Sequence, residues 1–298
     1  MNTIKFKKGS KSFIWYIAVL LISLVTVFPL IWTVSTSFKP TSEILSNSMN
    51  LIPKMFTWDN YKDVFSTTPF ARYLVNSLIL AVGGVLTNLF FGSLAGYAFA
   101  KLPFKGKKGL FMTFLGSMMI PAVVTMIPAV VTMIPSFLVL KNFPLMGGND
   151  ITGHGGMGFI NTYWAILIPG AAGAFSIFFM KQFFETLPDE LSEAARIDGC
   201  SEFKIFWKIY MPLAKTALAT LGIMTFQAGW NQFMWPLIVL NSQKMMTVQV
   251  GLASFQYNES ANYGALMAGT IVSTIPVLFV FIFAQKYFVE GIAHNGGK

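Results

Sequence analysis

The sequence predicts an all-α integral membrane protein with six transmembrane helices, and three observations carry that prediction. The 298 residues are 54% hydrophobic and only 11% charged, with a mean hydropathy of +0.61, whereas a soluble domain carries about 25% charged residues. Six apolar runs each reach the ~20 residues that a helix needs to cross ~30 Å of hydrocarbon. The basic residues, finally, crowd into every second segment between those runs.

The runs cover residues 13–38, 73–100, 110–140, 159–180, 216–240 and 263–284, and none contains Asp, Glu, Lys, Arg or His. Fifteen of the 21 basic residues lie in the N-terminal segment, the second and fourth loops and the tail, and six lie in the other loops. Lys and Arg accumulate on the cytoplasmic side, so both termini and those two loops are expected there. The division is a cytoplasmic N-terminus (1–12), a transmembrane domain (13–285) and a cytoplasmic tail (286–298). The first run is longer than a 7–15-residue signal-peptide core and no small-x-small site follows it, so it reads as a retained anchor.

The net charge of +9 follows from this topology and gives no reason to invoke nucleic acid. One cysteine, Cys200, excludes an intrachain disulfide, and His154 and His294 stand far apart without metal-ligand spacing. No metal site and no catalytic residue is expected. In the third run IPAVVTM at 120–126 recurs at 127–133, stacking Pro121, Pro128 and Pro135 on nearly one side of a helix. Each proline removes a backbone hydrogen bond, so a kink or unwound turn is expected near Pro121 or Pro128. The repeat is open to two readings, a gating element or a silent duplication.

Polar but uncharged residues punctuate two runs: Asn76, Thr87 and Asn88 in the second, and Gln227, Asn231 and Gln232 in the fifth, beside Trp230 and Trp235. Amides hydrogen-bond hydroxyls and aromatic faces stack on sugar rings. Asn88, Gln227, Trp230, Asn231 and Gln232 are therefore candidates for a pathway that takes a neutral polyol. The competing reading is helix–helix packing, which is also the reading of the small pair Gly92 and Gly96.

The fourth loop, about 185–212, is the most informative segment. Thr186, Pro188 and Asp189 read as a helix start. Gly199 reads as its left-handed stop. Ser201 then caps a second short helix bearing Phe203, Phe206, Trp207 and Tyr210, and Pro212 closes it. The spacing of Glu193-Ala194-Ala195, three residues, Gly199, nine residues, Ile209, two residues and Pro212 resembles the signature loop of permease subunits of bacterial ABC importers. Segments 76–82 (NSLILAV), 158–169 (GFINTYWAILIP) and 229–240 (GWNQFMWPLIVL) resemble the carbohydrate branch, and within it the smaller maltose-type permease. The resemblance covers roughly residues 13–290; Cys200 and Met211 are mild departures from the usual pattern.

The resemblance implies the type I ABC importer permease fold. It also implies that Glu193, Ala194, Ala195, Arg196, Asp198 and Gly199 meet a separate ATPase, with Phe203, Ile209 and Pro212 holding the loop to the helical bundle. The expected partners are a second permease subunit in a heterodimer, two ATPase subunits and an extracytoplasmic sugar-binding protein, all in a lipid membrane. This chain has no GxxxxGK[ST] phosphate loop; ATP and Mg are expected on the ATPase, and this chain binds no cofactor. A permease for another solute, such as glycerol phosphate or an amino acid, is the alternative. An ion-coupled secondary transporter would keep ionisable residues within its spans, and none is present.

Overall fold

The computed structural model describes residues 5–46, 50–119, 126–257 and 262–295. Every regular element among them is helical. In chain order these are α1 (Lys5–Ser37), α2 (Thr41–Leu45), α3 (Asp59–Thr67), α4 (Phe70–Lys101), α5 (Lys107–Met119), α6 (Met126–Lys141), α7 (Trp164–Leu167), α8 (Ala174–Glu185), α9 (Glu190–Ile197), α10 (Glu202–Leu213), α11 (Lys215–Trp230), α12 (Met234–Val239), α13 (Val248–Tyr257) and α14 (Tyr263–Asn295). Two helices widen locally into π-helix, α4 at Asn88–Gly92 and α10 at Phe206–Tyr210.

Among the described residues three helices are long and apolar enough to cross a membrane alone, over Trp15–Ser37, Phe70–Lys101 and Tyr263–Gln285; α10 and α11, bent by 82°, make a fourth if that pair is one span. The first, second and sixth apolar runs are thus continuous helices, and the sixth continues as helix to Asn295. The fourth and fifth are interrupted, which corrects the expectation of one helix per run there. Of the third, α5 and α6 are described, and the kink or unwound turn expected near Pro121 or Pro128 falls on or beside residues 120–125, outside the described residues. The fourth run is α7 and α8, parted at residues 168–173; the fifth is α11 and α12, parted at 231–233. Proline causes both breaks. In a continuous helix the rings of Pro169 and Pro236 would collide with the carbonyls four residues earlier, those of Ala165 and Gln232, and they supply no N–H to them.

The chain divides into two compact units, residues 1–70 with 251–275, and residues 71–250 with 276–298. In the first, the buried Asn60 of α3 donates to the carbonyls of Ser37 and Lys39, both at 2.8 Å, closing the end of α1. Glu43 accepts the backbone N–H groups of Lys54 (3.1 Å) and Met55 (3.4 Å). Phe38, Phe56, Trp58 and Tyr61 form an aromatic cluster over this corner. Apolar side chains along α1, such as Trp15, Leu20 and Val25, are exposed, as expected of a surface solvated by lipid.

In the second unit, side chains close what the prolines open. Trp235 Nε1 donates at 3.0 Å to the Ala165 carbonyl that Pro169 orphans. The amide of Asn88 donates to Gly84 O (3.0 Å) and Gly170 O (2.6 Å) and accepts from Gly173 N (3.1 Å) and Ser176 Oγ (2.8 Å). Asn76 donates to Lys244 O (3.0 Å) and Met246 O (2.8 Å) and accepts from Tyr163 Oη at 2.8 Å. Asn161 donates its N–H to Val239 O at 2.7 Å and accepts from Ser242 N at 3.0 Å. Segments 76–82, 158–169 and 229–240 therefore meet in one hydrogen-bonded node. Below it α4 and α8 are in backbone contact: a Cβ on Gly92 would lie 2.8 Å from Ser176 Cβ, and one on Gly96 would lie 2.7 Å from Met180 Cβ and 2.9 Å from Lys181 N. The packing reading of this glycine pair is the one the structure supports.

Two outcomes follow for the purified protein in detergent. Gly96→Ala should lower stability by about 1–3 kcal/mol through overpacking, read as a fall in Tm, whereas Gly84→Ala, where a Cβ meets nothing within 4 Å, should not lower Tm. Asn88→Leu strands buried backbone groups at about 1–3 kcal/mol each; an unaltered Tm would show that the amide does not close the 168–173 break.

Candidate functional site

Two regions of the second unit gather the candidate residues: a cavity beside the broken helices, and the loop at 185–212. The cavity encloses about 410 Å³ between α4 (Leu80, Gly84, Asn88), the 166–176 segment (Gly170, Phe175, Ser176), α11 (Thr225, Gly229) and Gln232. Its polar lining is Asn88, Ser176, Thr225 and Gln232, and no ionisable side chain among the described residues lines it. Of the five pathway candidates, Asn88 and Gln232 come together here. All four hydrogen-bonding positions of the Asn88 amide are already taken, so Asn88 is a strut of the wall and not a free hydroxyl partner. Trp230 is 2% exposed and stacks on Phe226 with ring centroids 5.8 Å apart; buried in this way, it offers no face to a sugar. Gln227 and Asn231, one turn apart, form an exposed polar stripe on α11 away from the cavity lining. Asn231 accepts from Gln249 Nε2 at 3.4 Å.

The loop folds as helix, turn, helix. Its start differs from the expectation at Thr186. That residue terminates α8, its hydroxyl donating to Phe183 O at 2.7 Å, and α9 begins after Pro188 and Asp189. Gly199 takes the expected left-handed conformation, φ +74°, and Cys200 N reaches back to Ala195 O at 2.9 Å. Ser201 stands at the N-cap of α10 in extended conformation but makes no side-chain cap bond, and α10 continues past Pro212 to Leu213.

On α9 the two alanines face opposite ways. Ser192 and Ala195 are buried, while Leu191, Ala194 and Ile197 share an exposed stripe at three-residue spacing, flanked by exposed Glu193, Arg196 and Asp198. Ile197 is 86% exposed, and a Cβ on Gly199 would meet nothing within 4 Å. This is an apolar strip framed by charge, facing away from the protein. The anchors of the loop are Ile205, Phe206 and Tyr210, which are fully buried against Tyr97, Met180, Phe184 and Leu221. Ile209 packs on the same cluster. Phe203 and Pro212, expected to hold the loop as well, are exposed: the helical period turns positions 205, 206 and 210 inward and leaves 203 and 212 outward.

Charged residues that the sequence reading did not select secure the loop to α4. Lys101 Nζ donates to Leu187 O at 2.6 Å and to Asp189 Oδ1 at 2.5 Å. Glu202 accepts from Arg196 Nε at 2.6 Å and from Tyr97 Oη at 2.8 Å. Lys101 holds the Asp189 carboxyl below the usual carboxylate range. The Arg196 hydrogen bond does the same for Glu202, so both are ionised at neutral pH. The available signal was weak: Lys101 is simply the first base after an apolar run, and only the fold puts it beside residue 189. The exposed strip was legible in principle from the spacing of 191, 194 and 197.

Among described residues no group of three or more His, Cys, Asp or Glu is placed to hold a metal ion.

Residues 89–294 match the family described as binding-protein-dependent transport system inner membrane component. The chain is 35% identical over 280 residues to the arabinooligosaccharides transport system permease protein AraQ of Halalkalibacterium halodurans, covering 93% of both chains. It is 32% identical over 277 residues to the lactose transport system permease protein LacG of Rhizobium radiobacter, again covering 93% of both. A chain of the crystal structure of a bacterial ABC transporter involved in the import of alginate superposes with a TM-score of 0.77 over 97% of this chain and 99% of that one, at 24% identity, which establishes the shared fold. With its apolar helices, its family match over more than half its length and relatives aligned nearly end to end, the chain belongs to the binding-protein-dependent transport system inner membrane components, the permease subunits of ABC importers.

Proposed function

We propose that this permease subunit forms half of the pathway of an importer for a neutral di- or oligosaccharide, and that loop 185–212 couples the pathway to a separate ATPase. The single observation that carries the coupling role is the outward apolar strip of α9, Leu191, Ala194 and Ile197, ending at a left-handed Gly199 with open space beyond it. A short helix that exposes Ile197 almost completely is shaped for a protein cleft. The sugar reading is supported by the names of the relatives, which specify arabinooligosaccharides and lactose. The cavity lining adds to it. Thr225 and Gln232 offer hydrogen bonds to hydroxyls, and no Lys or Arg is present there to meet an acidic or phosphorylated solute.

In this reading α5 with α6, α7 with α8 and α11 with α12 each serve as one span, making six. Irregular backbone is tolerated at membrane depth where it is buried or lines a cavity. Both termini and loop 185–212 lie on the cytoplasmic side, the direction favoured by the distribution of Lys and Arg. A second, non-identical permease completes the pathway and covers the exposed Gln227 and Asn231. Two ATPase subunits bind ATP and Mg and perform the hydrolysis, so that this chain catalyses nothing. An extracytoplasmic binding protein delivers the sugar.

The test is co-purification from membranes followed by ATPase assay with a panel of neutral and acidic oligosaccharides and the binding protein. Stimulation by a neutral member is expected; isolation of the chain alone, with uptake driven by an ion gradient, would sink the proposal. Gly199→Asn separates strain from docking, because Asn tolerates the left-handed conformation yet adds bulk. The variant complex should hydrolyse ATP without uptake while this chain keeps its Tm.

A further inference from the structure

We propose that Glu202 is a positioning residue that ties α9 to α4, so that a push on the first is delivered to the cavity wall carried by the second; the inference rests on the docking role of loop 185–212. Three helices meet at this one carboxylate. Arg196 comes from α9, Tyr97 from α4, and Glu202 opens α10. One oxygen accepts from Arg196 Nε at 2.6 Å and the other from Tyr97 Oη at 2.8 Å. Tyr97 is 2% exposed and stands edge-on to Phe184, with ring centroids 6.2 Å apart, so its hydroxyl has little freedom to follow a moving partner. One turn further along α4, Lys101 holds Leu187 O and Asp189. These two straps grip the loop from before α9 and after it.

The same α4 lines the cavity with Gly84 and Asn88, and Asn88 lies about 14 Å along the helix axis from Tyr97. Hydrogen bonds are lost by about 3.6 Å, so a displacement of α9 must either carry α4 with it or break the bonds at Glu202. The π-helical stretch Asn88–Gly92 lies between strap and cavity, where a local change of helical winding can be absorbed.

A buried tyrosine might be thought to need any available acceptor, which would make the Tyr97 bond incidental. Tyr210 argues otherwise: it is fully buried in the same cluster, its ring 5.0 Å from that of Tyr97, and its hydroxyl has no hydrogen-bond partner among the described residues. Burial here does not by itself recruit a carboxylate.

The experiment uses the assembled importer in lipid nanodiscs, with Cys200→Ser and a Thr225→Cys probe thiol in the cavity, and reads the maleimide labelling rate with and without Mg–AMP-PNP. A several-fold nucleotide-dependent change is expected. Glu202→Gln or Tyr97→Phe should each reduce that change to near none in complexes that still assemble and bind nucleotide. The double variant should do no worse than the stronger single one, and Tyr210→Phe should keep the full response. Retention of the response by Glu202→Gln and Tyr97→Phe, while Gly199→Asn abolishes it, would overturn the linkage and leave the docking role standing. Equal loss in Tyr210→Phe would overturn it too, by making general packing the cause. No nucleotide response without these substitutions would overturn the docking role and the linkage together.

Discussion

In hydrocarbon a backbone group without a partner has no water to turn to, and the second unit of this protein is organised around that constraint. Its fourth and fifth apolar runs are broken by Pro169 and Pro236. Each break would be prohibitive if left open. Trp235 closes one orphaned carbonyl, and Asn88 spans both ends of the 168–173 gap with a single side chain. Asn76 and Asn161 do comparable work where residues 239–246 return to the bundle. The broken geometry creates the cavity, and the amides make the broken geometry sustainable. Most of the polar side chains in the apolar runs are consequently committed to the protein itself, leaving Thr225 and Gln232 as the cavity's adaptable polar groups.

Beneath the cavity the balance of forces changes. Where α4 and α8 touch, Gly92 and Gly96 bring the backbones so close that dispersion and shape dominate. Closer to the loop, aromatic rings fill the space around Tyr97, Phe184, Phe206 and Tyr210. At the rim, ionised pairs fasten the loop. Exposed salt bridges contribute little to stability, and Lys101–Asp189 and Arg196–Glu202 are partly exposed. Their significance is geometric: they fix where α9 sits on α4. The resulting loop presents one face to a rigid aromatic base and leaves an apolar strip outward, a combination suited to receiving force without deforming.

Much of this was legible from residues alone. The charge-free runs announced the membrane, and the glycine at 199 announced the left-handed turn that the backbone adopts at φ +74°. The loop signature and the three flanking segments pointed to the family that the chain belongs to. What misled was continuity. Residues 159–180 and 216–240 are as free of charge as the unbroken runs, and composition does not reveal that Pro169 falls where the Trp235 side chain takes over the lost bond, while Pro135 sits within a continuous α6. Trp230 and Asn88 look like sugar contacts in a list of polar and aromatic residues; only their burial and their partners show otherwise.

Hydropathy, charge asymmetry and motif spacing are local or additive properties, so the sequence by itself determined the solvent, the helical class and the family. Which side chains meet is a long-range property. The bond from Tyr97 to Glu202 joins residues 105 positions apart, and that from Asn76 to Met246 joins residues 170 apart. Such pairs exist only once close helix packing has chosen a register, and that choice, made by tertiary structure, decides which polar groups brace the wall, which line the cavity and which carry the loop.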